Sequence, residues 1–182
     1  MYGMYALTGW DWGESLPLHI SRVSAVLCVA YLATGSKRVM DVLFYFSLWA
    51  WFSFSFPQGV WPFWNLFGWT FLVNHVVTLL MPALAWVTSD WRPSREALWR
   101  AFGWMVAYSL VAVVANVLTD GNYFYQKSMP VLPSLGQPLY YVGTLTVGLG
   151  LFWLGYGVSR LVPDAGRGLL GRGDDVFSPT TA

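Results

Sequence analysis

Residues 66–88 read LFGWTFLVNHVVTLLMPALAWVT, a run of 23 residues whose sole ionisable side chain is His75. About 20 mostly apolar residues are enough for a helix to cross the hydrocarbon core of a bilayer. The run therefore predicts a transmembrane helix. The adjacent pair Asn74 and His75 stands inside it, and ionisable groups at such depth are costly and usually functional. One stretch thus decides the class of fold and points to a site.

Four further stretches of the chain have the same character. They cover residues 16–34, 39–57, 97–119 and 138–161, so that the sequence predicts five spans in all. The chain of 182 residues is 56% hydrophobic and 10% charged, where soluble domains have about 25% charged residues. We therefore expect an all-α polytopic transmembrane helix bundle, with one domain over residues 1–161. The tail, 162–182, is predicted to be disordered and cytoplasmic.

The basic residues predict the orientation of the bundle. Eight of the ten fall in loops of one side: Lys37, Arg38, Arg92, Arg95, Arg100, Arg160, Arg167 and Arg172. The loops of the other side, 57–65 and 120–137, contain a single basic residue, Lys127. By the positive-inside rule the C-terminus is cytoplasmic and the N-terminus is outside. An odd number of spans with an outer N-terminus suggests further helices upstream.

Composition also excludes several classes of function. The net charge of +1 includes no basic stripe, which argues against nucleic acid as a partner. The single cysteine, Cys28, gives no disulfide framework and no thiolate metal site. We expect no metal and no cofactor. The expected partners are membrane lipids and, in one alternative below, other membrane subunits.

A hydroxyl and an imidazole are predicted to lie at one depth. Ser21 is five residues beyond Leu16, or about 8 Å into the outer leaflet, and His75 is six beyond Trp69, or about 9 Å. Spans one and three run in the same direction, so the two side chains can meet. This is the minimum for an activated serine, with Ser21 as nucleophile and His75 as general base.

Five more residues are predicted to bind the substrate: His19, Arg22, Asn74, Tyr123 and Lys127. Arg22 can hold an anionic phosphate or carboxylate through paired N–H bonds. His19 orients the substrate or serves as the base itself, and the loop from Asp120 to Lys127 roofs the same end of the bundle.

Structural alternatives stand beside these roles. Ser21 can bond to a carbonyl of the preceding turn, and His75 can bridge two helices. Arg22 can snorkel to headgroups. Asp41 is expected to pair with Lys37 or Arg38 at helical spacing.

Three motifs resemble a known family. WDWGESLPLHISR at residues 10–22, Asn74-His75, and NYFYQK at 122–127 with Pro130 shortly after are similar to the YwaF-type bacterial integral membrane proteins. These proteins are more distantly similar to the transmembrane protein 164 acyltransferase and to a group of threonine-histidine lipid hydrolases. The resemblance covers most of residues 1–161.

The resemblance implies a helix bundle that has seven spans in full-length relatives. Residues 1–8 then match the end of the second helix of those relatives, and the chain is expected to be shortened at its start. The acyltransferase relatives use a cysteine and a distant histidine, which match Ser21 and His75 here. Serine is the poorer nucleophile unless a base takes its proton.

The sequence thus favours a lipid acyltransferase or hydrolase with a serine–histidine site in the outer leaflet of the bacterial cytoplasmic membrane. A non-catalytic accessory or structural subunit of a membrane complex is the alternative. A small-molecule carrier is the third interpretation, weakened because transporter sites use broken helices near the midplane, whereas these polar groups are shallow.

Overall fold

A computed structural model describes residues 2–57, 62, 64–127 and 136–162 of the chain. Within these ranges the regular structure is all helical, as predicted. The helices are α1 (Tyr2–Thr8), α2 (Trp12–Ser15), α3 (Ile20–Thr34), α4 (Lys37–Ser47), α5 (Trp49–Ser55), α6 (Leu66–Thr88), α7 (Arg95–Thr119) and α8 (Gln137–Leu161). A 3-10 turn, Tyr123–Tyr125, lies between α7 and α8. Met1, Pro130 and the predicted tail from residue 163 onward lie outside the described residues.

Three of these helices, α6, α7 and α8, are long and apolar enough to cross a membrane, within the part of the chain that is described. In the most apolar stretch of α8, 17% of the residues are buried inside the chain. So large an apolar exterior fits contact with lipid. The protein is a multi-pass membrane protein by these features, while the five-span topology and the orientation stay predictions.

The two remaining predicted spans differ from simple helices. The first begins at Ile20, not Leu16, because Leu16 precedes Pro17 and is extended, with φ −65° and ψ 149°. The second is interrupted at Leu48, which separates α4 from α5. Leu48 itself keeps helical angles, φ −61° and ψ −24°. The 19 residues from Lys37 to Ser55 therefore rise about 28 Å at 1.5 Å per residue, close to a bilayer core of about 30 Å.

Helix α4 is the centre of the bundle. It packs against α3, α6 and α7, while α3 also contacts α6 and α7 also contacts α8. Tyr45, Leu98, Met105 and Phe152 are fully buried where α4, α7 and α8 meet. The faces of α3, α4 and α6 that carry polar residues are thus brought together.

Glycine sets the close approach of α8 to this core. A Cβ atom on Gly148 would lie 2.3 Å from Met105 Cε and 2.9 Å from Trp49 Cζ2. Gly150, two residues on, has no atom within 4 Å of its Cβ position. Small residues let membrane helices pack closely, and at Gly148 the packing requires one.

Candidate functional site

A small cavity lies where α3, α4, α5 and α6 meet. Its volume is about 10 Å³, room for about one water molecule. Ile20, Phe46, Trp49 and Ala50 give its apolar walls. The polar lining consists of Ser21, Ser24, Ser47, Ser53, His75 and Thr78.

Four of the lining hydroxyls donate to carbonyls of their own helices. Ser24 donates to Ile20 O at 2.8 Å, and Ser47 donates to Phe44 O at 2.7 Å. Ser53 donates to Trp49 O at 3.5 Å and Thr78 to Asn74 O at 2.7 Å. Such bonds are the ordinary way in which a helix satisfies a hydroxyl inside a membrane.

The Ser21 hydroxyl differs from these four. Ser21 is half-buried, and its Oγ has no hydrogen-bond partner among the residues that the structure describes. It is therefore not tied to the preceding turn, which was the structural alternative for this residue. Its hydroxyl proton is available to a base.

His75 has one fixed ring nitrogen. Its Nδ1 donates to Phe71 O at 2.7 Å, because a carbonyl oxygen only accepts. In the neutral ring Nε2 is then the acceptor. The ring is buried and packs at a tilt against Phe71, with centroids 4.1 Å apart, and against Phe54 at 5.5 Å. A fixed tautomer whose acceptor nitrogen has no partner in the described part of the chain is what a general base needs.

Ser21 and His75 thus line one cavity, from α3 and α6. No hydrogen bond joins them within the described part of the chain. Asn74, predicted to bind substrate, donates from Nδ2 to the backbone oxygen of Ser21 at 3.1 Å. It links α6 to α3 beside the two predicted catalytic residues. The catalytic assignment stays a prediction.

All five predicted substrate-binding residues, Asn74 included, lie outside the cavity lining. Arg22 donates to the carbonyls of Glu14 and of Leu16, the latter at 2.9 Å, and to the Tyr5 hydroxyl at 3.0 Å. His19 Nε2 lies 3.2 Å from Glu14 Oε2. The hydrogen bond with His19 holds the pKa of the Glu14 carboxyl below its usual value of 4.5, and the nearby positive charges add to this effect against partial burial.

The last two predicted substrate-binding residues, Tyr123 and Lys127, lie in the loop after α7. Tyr123 is fully buried, and its hydroxyl accepts from Leu16 N at 3.1 Å and donates to Trp12 O at 2.5 Å. Burial raises the pKa of this phenol. Lys127 forms an ion pair with Asp120, which lowers the pKa of that exposed carboxyl. In this structure Tyr123 and Lys127 bind other parts of the chain.

The prediction for Asp41 was wrong. Its carboxylate pairs with Arg100 on α7, and its Oδ1 accepts from Trp91 Nε1 at 2.9 Å. Lys37 and Arg38 are neighbours in sequence, but α4 turns Asp41 toward Arg100 on α7 and toward the indole N–H of Trp91 in the segment before α7. Residue spacing along one helix does not reveal partners that the tertiary fold brings from other segments.

Sequence reasoning missed two lining residues, Ser47 and Ser53. Both lie in the second apolar stretch, where serine among aromatic residues was the available signal. The indole N–H of Trp49, which also lines the cavity, is buried without a hydrogen-bond partner among the described residues.

The fold and this polar cavity define a multi-pass membrane protein with a hydroxyl–imidazole cluster buried among its helices. Comparison with known proteins gives the family. The model of the TMEM164 family matches residues 1–156, and the chain belongs to that family. No curated protein and no solved structure matches the chain.

Proposed function

We propose that the protein is a lipid acyltransferase or acyl hydrolase in which Ser21 is the nucleophile and His75 the general base. Ser21 Oγ attacks the carbonyl carbon of a lipid ester, and His75 Nε2 takes the hydroxyl proton. His75 then gives this proton to the oxygen of the leaving alcohol. The acyl group remains on Ser21 as an ester.

One observation carries the proposal: Ser21, whose hydroxyl has no hydrogen-bond partner among the described residues, and the buried ring of His75 line the same cavity, and the bond from Nδ1 to Phe71 O makes Nε2 the acceptor. Asn74 supports it by holding the Ser21 carbonyl to α6. Family membership also supports the proposal, because relatives with an acyltransferase role carry cysteine and histidine at the positions that match Ser21 and His75.

The proposed setting is the bacterial cytoplasmic membrane, within the YwaF-type group. The helices α3 and α4–α5 supply two spans beside α6, α7 and α8, and the basic loops face the cytoplasm. Ser21, near the start of α3, then lies in the outer leaflet, within reach of lipid esters.

The test uses the full chain in detergent with a fluorophosphonate probe, which reacts with activated serine, and with a 4-methylumbelliferyl fatty-acyl ester. We expect the probe to label the peptide that contains Ser21. Ser21→Ala and His75→Gln should each lower turnover of the ester at least about a hundredfold, the usual contribution of a nucleophile–base pair. Ser21→Cys should retain turnover, because a thiol can give its proton to the same base.

Ser55→Ala is the matched control. Ser55 is an exposed serine that donates to Trp51 O at 2.8 Å and lies outside the cavity lining. Its loss should leave turnover unchanged. Wild-type-like turnover in both Ser21→Ala and His75→Gln, at equal expression, would remove the catalytic assignment.

A further inference from the structure

We propose that an arginine–tryptophan patch, on the exposed surface where α7 and α8 meet, binds the phosphate of an anionic phospholipid. The patch consists of Arg95 and Trp99 on α7 and of Trp153 on α8. It lies at the end of α7 that is remote from the Ser21 site, because the segment before α3 touches Gly121, just beyond the other end of α7. The inference goes beyond the proposed catalytic function and does not depend on it.

The three side chains of the patch contact one another across the junction of the two helices. The guanidinium carbon of Arg95 lies 5.5 Å from the ring centre of Trp153, within the range of a cation–π interaction. The rings of Trp153 and Trp99 meet edge to face, with centroids 6.3 Å apart. Trp99 is 48% exposed and Trp153 is 37% exposed. A cation thus lies beside two indole rings that are open to the surroundings of the bundle.

Arg95 differs from the neighbouring arginines in its hydrogen bonds. Arg100 forms an ion pair with Asp41, and Arg92 donates to two backbone carbonyls. The guanidinium of Arg95 has no acceptor among the residues that the structure describes. Glu96 is the adjacent acid, but it is exposed and lies about 100° further around α7. Since a guanidinium carries five N–H donors and keeps its proton, the donors of Arg95 require an acceptor from outside the chain.

The charge at this end of the bundle favours an anionic acceptor. Six basic and three acidic residues are described there, which leaves a net charge of +3. They are Lys37, Arg38, Arg92, Arg95, Arg100 and Arg160, with Asp41, Asp90 and Glu96. Basic residues at the ends of membrane helices attract anionic headgroups, and each cation adds to the affinity. A phosphate can accept two parallel hydrogen bonds from one guanidinium.

The two indoles favour a lipid over a free anion. Arg95 is the first residue of α7, a helix long and apolar enough to cross a membrane, and Trp99 is one turn further along. Tryptophan at the end of a membrane helix lies at the level of the headgroups. The phosphate of a phospholipid then reaches Arg95 while its glycerol and acyl chains lie against Trp99 and Trp153. An inorganic phosphate ion would make only the first of these contacts.

The test measures lipid binding to the full chain in detergent by native mass spectrometry, from the fraction of the chain that carries one added lipid. Phosphatidylglycerol has a net negative charge, whereas phosphatidylcholine has the same phosphate and no net charge. We expect phosphatidylglycerol to bind at least about fivefold more tightly. Arg95→Gln should weaken its binding about fivefold, the factor that corresponds to about 1 kcal/mol for one arginine beside an anionic lipid. Binding of phosphatidylcholine should not change.

Two control variants match the changes in the patch. Arg38→Gln removes an exposed cation from the same end of the bundle, at the start of α4. Trp104→Leu removes an indole that is 60% exposed on α7 but lies outside the patch. Both controls should bind phosphatidylglycerol within about twofold of the wild type, whereas Trp153→Leu should weaken binding beyond this range. If Trp153→Leu does not fold, Trp99→Leu takes its place.

Three outcomes would overturn the inference. Equal binding of the two lipids by the wild type would show that the charge of the headgroup is not recognised. Equal weakening by Arg95→Gln and Arg38→Gln would show attraction to the whole basic end and no site at the patch. Displacement of phosphatidylglycerol by millimolar inorganic phosphate would show a site for a free anion. Turnover of the ester substrate should be unchanged in Arg95→Gln, so the proposed function is judged separately.

Discussion

Replacing Tyr123 by phenylalanine tests whether this residue holds the chain together or binds substrate. The change removes one oxygen from a ring that is fully buried and packs against His19, with centroids 5.1 Å apart. That oxygen bridges Leu16 N and Trp12 O, which are separated from it by 107 and 111 residues in sequence. The two bonds fasten the segment before α3 to the loop after α7.

The size of the effect follows from these two bonds. A typical hydrogen bond contributes about 0.5–1.5 kcal/mol net, so two contribute about 1–3 kcal/mol. For a chain of this length 1 kcal/mol corresponds to about 2–4 °C in melting temperature. We therefore expect the Tyr123→Phe variant to melt about 2–12 °C below the wild type in detergent.

The control is Tyr125→Phe. The ring of Tyr125 also packs toward His19, at 6.5 Å, but its hydroxyl has no hydrogen-bond partner among the described residues. Loss of this hydroxyl should leave the melting temperature within about 1 °C, because no hydrogen bond to a described residue is lost with it. Equal melting of the two variants would refute the structural role of Tyr123. Equal melting together with lost ester turnover in Tyr123→Phe alone would instead support substrate binding.

Three further predictions are checked by the same melting measurement. Gly148→Ala should destabilise the bundle by about 1–3 kcal/mol through overpacking, whereas Gly150→Ala, with open space at its Cβ, should not. Asp41→Ala should lower the free energy of unfolding more than Asp41→Asn does. Asparagine can still accept a hydrogen bond from Trp91 Nε1, so the buried indole N–H keeps its partner. The pKa of Glu14 is lowered in the folded chain, so the stability that its carboxylate contributes is present above about pH 4.5 and is lost as the pH falls further. Glu14→Gln should therefore reduce the fall in melting temperature on acidification.

Much of the fold could be predicted from sequence because apolar run length is a direct physical requirement of a bilayer. Residues 66–88 were predicted as a helix with the bounds that α6 has. The start of α3 and the interruption at Leu48 were missed. The start of α3 depends on the local effect of Pro17 on Leu16. The interruption at Leu48 leaves no mark in the hydropathy of the sequence, since the residues on both sides of it are apolar.

The candidate site was predictable in part. Depth counting placed Ser21 and His75 at one level, and both line one cavity. Ser47 and Ser53 were missed because they come from α4 and α5, whose rotation about their axes is set by packing and not by the pattern of one segment. The partners of Arg22 and Tyr123 could not be foreseen either, since they are backbone groups brought close by the tertiary fold and, for Arg22, also the Tyr5 hydroxyl of α1.

The residues around the start of α3 form one support for Ser21. Arg22, the next residue, binds the carbonyls of Glu14 and Leu16, and Asn74 binds the carbonyl of Ser21 from the other side. The same N-terminal segment touches the loop after α7 through two glycines: a Cβ on Gly121 would lie 2.7 Å from Gly13 O. Arg22 then has a structural use for its charge, because guanidinium donors satisfy carbonyls that the extended turn leaves without helical partners. An arginine used in this way need not bind phosphate, so a neutral ester group at Ser21 is sufficient for the proposed chemistry.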